Sequence, residues 1–320
     1  MRSSIVNAPA AVTSSRNSYL ATLEAAWAQH RAPRDADAPT VISTFAGCGG
    51  SSLGYSMAGF RELLAVEWDD NAVATFGLNF PEVPVHHGDI AQLSVEAVLA
   101  QTGLQPGELD VFDGSPPCQG FSTAGKRVLD DPRNGLFREY VRLLRGLQPK
   151  VFVMENVSGM VKGKMKLVFA EILRDLKASG YQVSARLLNA MYFNVPQSRE
   201  RMIFIGVRND LGRAPSHPRA ECNQIGIGSV LSDVIASRSM KINPWIKHPR
   251  AAATITKTDS DYQFLTKEKS LRKPMLIEIA MLSSFPSQYG WGKDAWARIG
   301  NSVPPLFMRA IAQHIREHLL

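Results

Sequence analysis

Cysteine is scarce in this chain: Cys48, Cys118 and Cys222 are the only three, and no two form a CxxC pair. A sparse, odd count suits a reducing compartment and argues against a disulfide scaffold. No histidine stands at zinc-ligand spacing from a cysteine, so no metal is expected. Long apolar runs are also missing. Nothing approaches the roughly eighteen consecutive apolar residues that cross a bilayer, so no membrane partner is expected. Met1 to Arg16 is rich in Ser and Ala but has no continuous apolar stretch, which argues against a secretory signal. A cytoplasmic location is the expectation. There is no internal repeat. With so few cysteines and no bridge to build, at least one is expected to serve by its reactivity.

The composition that remains is globular, with 45% hydrophobic residues. A formal net charge of +7 and a pI near 9.4 fit a polyanionic partner such as nucleic acid. The charge is concentrated: residues 209–273 hold 11 Lys/Arg against 6 Asp/Glu.

Along the chain, residues 1–38 read as a leader with a short helix over Tyr19–His30, ended by Pro33 and Pro39 and carrying no chemistry. From Thr40 strands and helices alternate: strands over Thr40–Phe45, Leu63–Glu67, Asp110–Asp113, Val151–Glu155 and Arg201–Val207, helices over Ser51–Ala58 and Leu136–Leu147. Such alternation predicts an α/β fold with a mostly parallel sheet covered on both faces. Residues 39–208 are expected to form this domain. Residues 209–272, interrupted by Gly and Pro, read as a smaller, irregular, basic module. Residues 273–320 return to helix, passing through the turn FPSQYGWG and the segment GNSVPP to a last helix over Leu306–His318.

Four places carry candidate chemistry. The first is the loop Phe45-Ala46-Gly47-Cys48-Gly49-Gly50 after the first strand, where glycines let backbone N–H groups approach a ligand. Glu67, about twenty residues on, ends the second strand and is placed for ribose hydroxyls. Trp68 offers a ring to stack on adenine, and Asp89 adds a carboxylate after the third segment. The full GxGxxG spacing is lacking, which favours an adenosine cofactor other than a dinucleotide. The second place is Asp113 to Ser122, DGSPPCQGFS, directly after the fourth strand. Ligands in open α/β sheets bind beyond the carboxyl ends of strands, and two prolines hold Cys118 on rigid backbone there. A thiol of ordinary pKa ~8.5 is only slightly ionised at neutral pH, yet its thiolate is strongly nucleophilic. Third, Glu155-Asn156-Val157 ends a neighbouring strand, where Glu155 is either a loop cap or a general acid. Fourth, strand alternation puts Arg199 and Arg201 of QSRER on one face, facing either solvent or the cleft, where they would meet a base carbonyl and phosphates.

FAGCGG, Glu67-Trp68, GDI, GSPPCQGFS, ENV, QSRER and GNSVPP occur in the order and rough spacing of the bacterial DNA cytosine-5 methyltransferases. The chain resembles that family from about residue 41 to its C-terminus. The resemblance implies a Rossmann-like methyltransferase domain, closed by Gly300–Pro305 packing beside the first strand, with residues 209–272 as a target-recognition domain. It implies that S-adenosylmethionine is held by Phe45, Gly47, Gly49, Gly50, Glu67, Trp68, Asp89, Ile90, Gly114, Pro116, Leu136, Asn301, Ser302 and Val303. Cys118 would attack carbon 6 of a flipped-out cytosine, Glu155 would protonate N3, Arg201 would bind O2, and Arg199 would support the site or a phosphate. A lid over residues 119–135 would contact double-stranded DNA through Gln119, Ser122, Lys126, Arg127 and Arg133, and the second module through Arg250, Thr254 and Lys257. A monomer acting beside a companion restriction endonuclease, without a stable complex, is the implied setting. Ile277 and Met281 depart from the family, which has polar or basic residues there, and the recognition stretch is short.

Four other readings compete. An amino-group DNA methyltransferase would carry an aromatic residue where Cys118 stands. A transfer-RNA cytosine-5 methyltransferase would share the catalytic residues, and against it the sizeable basic stretch from Asn209 favours duplex DNA. A binding-only relative would not need every catalytic position filled. A nicotinamide oxidoreductase would leave Pro-Pro-Cys unexplained.

Overall fold

In the computed structural model, residues 10–117, 132–161, 165–220, 224–239, 245–258 and 262–320 are described, without the side chains of 10–17, 132–134 and 161. A helix α1 (Ala10–Arg31) precedes a sheet of β1 (Thr40–Thr44), β2 (Arg61–Glu67), β3 (Val85–His87), β4 (Val111–Gly114), β5 (Val151–Val157), β6 (Tyr181–Asn189) and β7 (Glu200–Arg208). Its order is β3-β2-β1-β4-β5-β7-β6, and only β7 runs against its neighbours. The intervening helices are α2 (Gly50–Met57), α3 (Asp70–Asn79), α4 (Val95–Thr102), α5 (Pro132–Leu147) and α6 (Met165–Lys177). This is the doubly wound, mostly parallel architecture expected from the alternation.

Local chemistry explains the punctuation. β1 (TVIST) and β4 are buried along their whole length, as central strands covered on both faces must be. Asp69 caps α3 by accepting from Ala72 N at 2.9 Å, and Ser94 caps α4 by accepting from Ala97 N at 3.1 Å. The strand order reverses between β1 and β4. A crevice therefore opens beyond their carboxyl ends.

Beyond β7 the chain forms a second sheet, antiparallel throughout, of β8 (Val234–Arg238), β9 (Ile246–Lys247), β10 (Gln263–Thr266) and β11 (Leu271–Arg272) in the order β11-β10-β8-β9. The expectation of an irregular module is corrected here, since two of these strands are only two residues long and leave no readable alternation. α7 (Leu276–Leu282), α8 (Ala295–Asn301) and α9 (Pro305–His318) complete the chain. Pro305 starts α9 at its first turn, where a missing N–H costs nothing. α9 lies so close to α2 that a Cβ on Gly54 would sit 2.5 Å from Met308 Cβ.

The N-terminal helix is longer than Tyr19–His30. Tyr19, Leu23 and Ala26 are buried on one stripe and share a core with α7 and α9. Tyr19 Oη donates to the Met281 carbonyl at 2.7 Å. Met281 packs half-buried against this core, which gives its apolar side chain a place, whereas Ile277 stays 39% exposed.

Candidate active site

The crevice is a cavity of about 500 Å³. One wall is the loop after β1. Phe45 and Gly47 both take positive φ, 56° and 58°, and a Cβ on Gly47 would meet nothing within 4 Å. The space beside Gly47 is therefore open, as a ligand cradle requires. Glu67, at the end of β2, is the loop's anchor: Oε2 accepts from Gly47 N at 2.8 Å, and Oε1 accepts from Trp68 N at 2.8 Å and Asp69 N at 3.0 Å. A carboxylate offers about four acceptor positions, so these three bonds orient it and leave capacity for a hydroxyl.

Around this loop stand Trp68, 77% exposed, then Asp89, Ile90 and, on α5, Leu136. Asp89 is held by accepting from Ala91 N at 3.0 Å. Asn301, Ser302 and Val303 close the wall, with the Val303 carbonyl against Gly50 so tightly that no Cβ fits there. Residues not anticipated also line the cavity, among them Ser51 on α2, Asp69, and Arg298 on α8, the last two paired at 2.9 Å. Helical spacing offered the signal for Arg298, which lies one turn before Asn301.

The opposite wall belongs to β5. Glu155 lines the cavity and pairs with Arg201 Nε at 2.5 Å, with 12% and 16% of the two side chains exposed. Next to it, Asn156 Nδ2 donates to the Pro116 carbonyl at 3.0 Å, tying the ENV strand end to the Pro-Pro segment that precedes Cys118 in sequence. Arg201 and Glu155 come together because β7 runs antiparallel to β5, pairing Arg201 with Val157 and Ile203 with Glu155.

Residues 39–247 match the C-5 cytosine-specific DNA methylase family. The chain belongs to this family. It is similar to the type II methyltransferase M1.HphI of Haemophilus parahaemolyticus, 34% identical over 325 residues that cover 86% of each chain. M.AquIA of Picosynechococcus is 42% identical over 202 residues, or 58% of this chain and 81% of that one. A solved structure from an E. coli prophage, described as a DNA modification methyltransferase, shares the fold with a TM-score of 0.68 at 24% identity, over 88% of this chain and 99% of that one.

Several expected residues of this methylase stand elsewhere than anticipated. Arg199 does not reach toward a phosphate. It is 2% exposed and donates to the Ile255 carbonyl and the Gly300 carbonyl, both at 2.9 Å. Burial pushes its guanidinium down to about 9, with Arg201 adding to the effect. Gln197 is its companion: Nε2 donates to Ser283 Oγ at 3.0 Å, and Oε1 accepts from Ile255 N at 3.2 Å. The QSRER motif thus divides into a joint (Gln197, Arg199) and a cation, Arg201, that pairs with the cavity-lining Glu155. Gly49, Gly114 and Pro116 are packed behind the cavity, not on it; a Cβ on Gly114 would meet Tyr140 at 2.7 Å, and Ser115 and Pro117 line the cavity instead. Cys48 is buried and free, with burial pushing its thiol up to about 12, so it is an inert wall residue.

Cys118, Gln119, Ser122, Lys126 and Arg127 lie outside the described residues, as does the side chain of Arg133. In the second module Arg250 and Lys257 are exposed, while Thr254 is half-buried and its hydroxyl donates to the Ser198 carbonyl. Among the described residues no cluster of His, Cys, Asp or Glu is arranged for a metal, and no helix is long and apolar enough to cross a membrane.

Proposed function

We propose that this chain methylates carbon 5 of cytosine within a short double-stranded DNA site, using S-adenosylmethionine and the Cys118 thiol. One observation supports the reading: Glu155, paired with Arg201, lines the same cavity as the glycine loop, and Asn156 is bound to Pro116, two residues before Cys118. A methyl donor and a base-protonating acid are thereby brought within one compartment.

The residues of the first wall fit the donor. Glu67 keeps acceptor capacity for ribose hydroxyls, Trp68 offers an exposed ring face for adenine, and Asp89 with Ile90 borders its edge. Phe45, Gly47 and Gly50 leave room for the amino-acid end, with Asn301, Ser302 and Val303 beyond. When bound, S-adenosylmethionine supplies the methyl group that carbon 5 receives.

Carbon 5 of cytosine is a poor nucleophile until carbon 6 is substituted. The Cys118 thiolate forms a bond to carbon 6, and Glu155, as the general acid, gives a proton to N3, so the ring becomes an enamine with its nucleophilic carbon at position 5. Arg201 holds the O2 carbonyl and keeps Glu155 oriented between turnovers. After carbon 5 has taken the methyl group, loss of its proton to solvent, return of the N3 proton to Glu155 and expulsion of the Cys118 thiolate restore aromaticity and release the product. A paired base cannot reach these groups, so the cytosine leaves the helix.

Residues 209–272, with the exposed Arg250 and Lys257, supply cationic surface for the duplex. A cytoplasmic monomer acting beside a restriction endonuclease, without a stable complex, fits the same reading. Bisulfite sequencing of DNA incubated with the protein and S-adenosylmethionine tests it. Protected cytosines recurring in one short sequence context are expected; full conversion everywhere would overturn the proposal.

A further inference from the structure

The turn FPSQYGWG has no part in the chemistry above, yet it reaches the methyl-donor loop directly. Tyr289 is 3% exposed, and its hydroxyl donates to the carbonyl of Cys48, in the middle of the glycine loop. At the next residue, Gly49 takes φ 90°, and a Cβ there would sit 2.5 Å from the Phe80 ring and 2.9 Å from Tyr289 Oη. The loop is thus pressed from behind by two rings and hydrogen-bonded by one of them, while its front face opens on the cavity.

Tyr289 is itself held on several sides. Phe285 and Trp291 flank its ring at centroid distances of 4.9 and 5.0 Å, and Trp27 of α1 meets it edge-on at 6.2 Å. The side chain of Asn79, the last residue of α3, binds the turn in both directions: Nδ2 donates to the Gly290 carbonyl at 2.9 Å, and Oδ1 accepts from Gly290 N at 2.8 Å. His30 of α1 completes the frame, with Nε2 3.2 Å from the Asn79 carbonyl and Nδ1 2.8 Å from Ser56 Oγ near the end of α2. Three elements that do not touch the cavity therefore converge on one hydroxyl that does touch its wall.

We infer that Tyr289 is a positioning residue for the methyl donor, its hydroxyl fixing the Cys48 peptide so that the glycine loop presents the donor-binding conformation. The inference rests on the reading of this cavity as the donor site. Without the hydroxyl the Cys48 carbonyl loses its buried partner, and the peptide is free to turn toward the cavity in search of another donor. The ring packing that supports the fold would be retained in a phenylalanine.

The test is Tyr289→Phe, with S-adenosylhomocysteine affinity read by calorimetry and thermal unfolding read on the ligand-free protein. The expected result is a loss of affinity of about 5- to 10-fold, as for one neutral buried hydrogen bond. The KM for S-adenosylmethionine should rise to match, while kcat at saturating donor and the KM for DNA stay at wild-type values. Unchanged affinity would overturn the inference, and so would an equal fall in kcat and donor affinity. A wild-type protein that does not bind S-adenosylhomocysteine would instead overturn the donor-site reading beneath it.

Discussion

The two sheets of this protein are built by opposite means. In the large sheet the central strands β1 and β4 are buried along their whole length, and chemistry is confined to their carboxyl ends, where Phe45, Gly47, Glu67 and Glu155 meet. The small sheet has strands of two to five residues. Its buried Val234, Tyr262 and Phe264 belong to the same core cluster as Tyr19 of α1 and Ile279 of α7. The small sheet has no core of its own in this sense; it is anchored by side chains. Arg272 binds the Glu278 carboxylate with two bonds of 2.8 and 2.7 Å, binds Asp233 at 2.8 Å, and lies over the Phe264 ring. The large sheet frames the proposed reacting groups, and the stitched-on module is proposed to extend the surface for the duplex.

If that division is right, substitutions in the two sheets should fail differently. Replacing Glu155 with Gln removes the proton donor while preserving shape, and kcat should fall about 10²- to 10⁴-fold with donor affinity nearly unchanged. Steady-state methyl transfer with separate donor titration checks this; a kcat within a few-fold of wild type would remove Glu155 from the chemistry. Glu67→Ala should act on the other wall. Gly47, Trp68 and Asp69 lose their shared acceptor, and donor affinity should drop about 10- to 100-fold, as expected for charge-assisted bonds. Calorimetry gives the value directly.

In the small sheet, Arg272→Ala leaves the buried Glu278 without its cation. Breaking such a pair costs about 3–5 kcal/mol, so the unfolding midpoint should fall clearly. At a temperature where the variant is folded, DNA affinity should weaken while S-adenosylhomocysteine affinity stays within about twofold, an effect below 1 kcal/mol. Equal loss of both would show that the two regions are not separable.

The smallest effect concerns α1. Burial first, and Arg31 and Arg34 after it, lower His30 from 6.5 to about 4, against the opposing bond to the Asn79 carbonyl. Between those values the unfolded chain holds a proton that the folded chain does not, so stability rises with pH through this window and is lost on acidification. Glu62, raised to about 7 by burial, works in the opposite sense. It is common to both proteins in a comparison with His30→Asn. The acid side of the stability curve should therefore be shallower in the variant by about 1.4 kcal/mol per pH unit, measured by denaturant titration across the window.

Much of the large sheet was legible because its signals are local. TVIST is β-branched, FAGCGG breaks it, and a carboxylate stands at the end of the next strand. Other features depend on distant partners. β6 was missed because, as an edge strand, its YQVSARLLN pattern mixes polar and apolar residues on both faces. The small sheet escaped because two of its strands are too short to alternate. For Arg199 the motif left open whether it supports the site or meets a phosphate. A cation beside Arg201 suggests a cleft-facing pair, but its Nη1 and Nη2 donate to carbonyls at Ile255 and Gly300, 56 and 101 positions away in the chain. Asn156 shows the reverse: the ENV motif pointed to Glu155, and the residue beside it proved to hold the turn before Cys118.

The central claim, a covalent attack by Cys118 on a cytosine ring, has a direct measurement. Duplexes carrying 5-fluorocytosine at the methylated position cannot lose the substituent at carbon 5, so the adduct persists and is read by denaturing electrophoresis and mass spectrometry. The account predicts a stable protein–DNA conjugate that requires S-adenosylmethionine, maps to Cys118 and disappears in Cys118→Ala, along with all methyl transfer. A conjugate formed by Cys118→Ala, or none formed by an active wild-type protein, would contradict it.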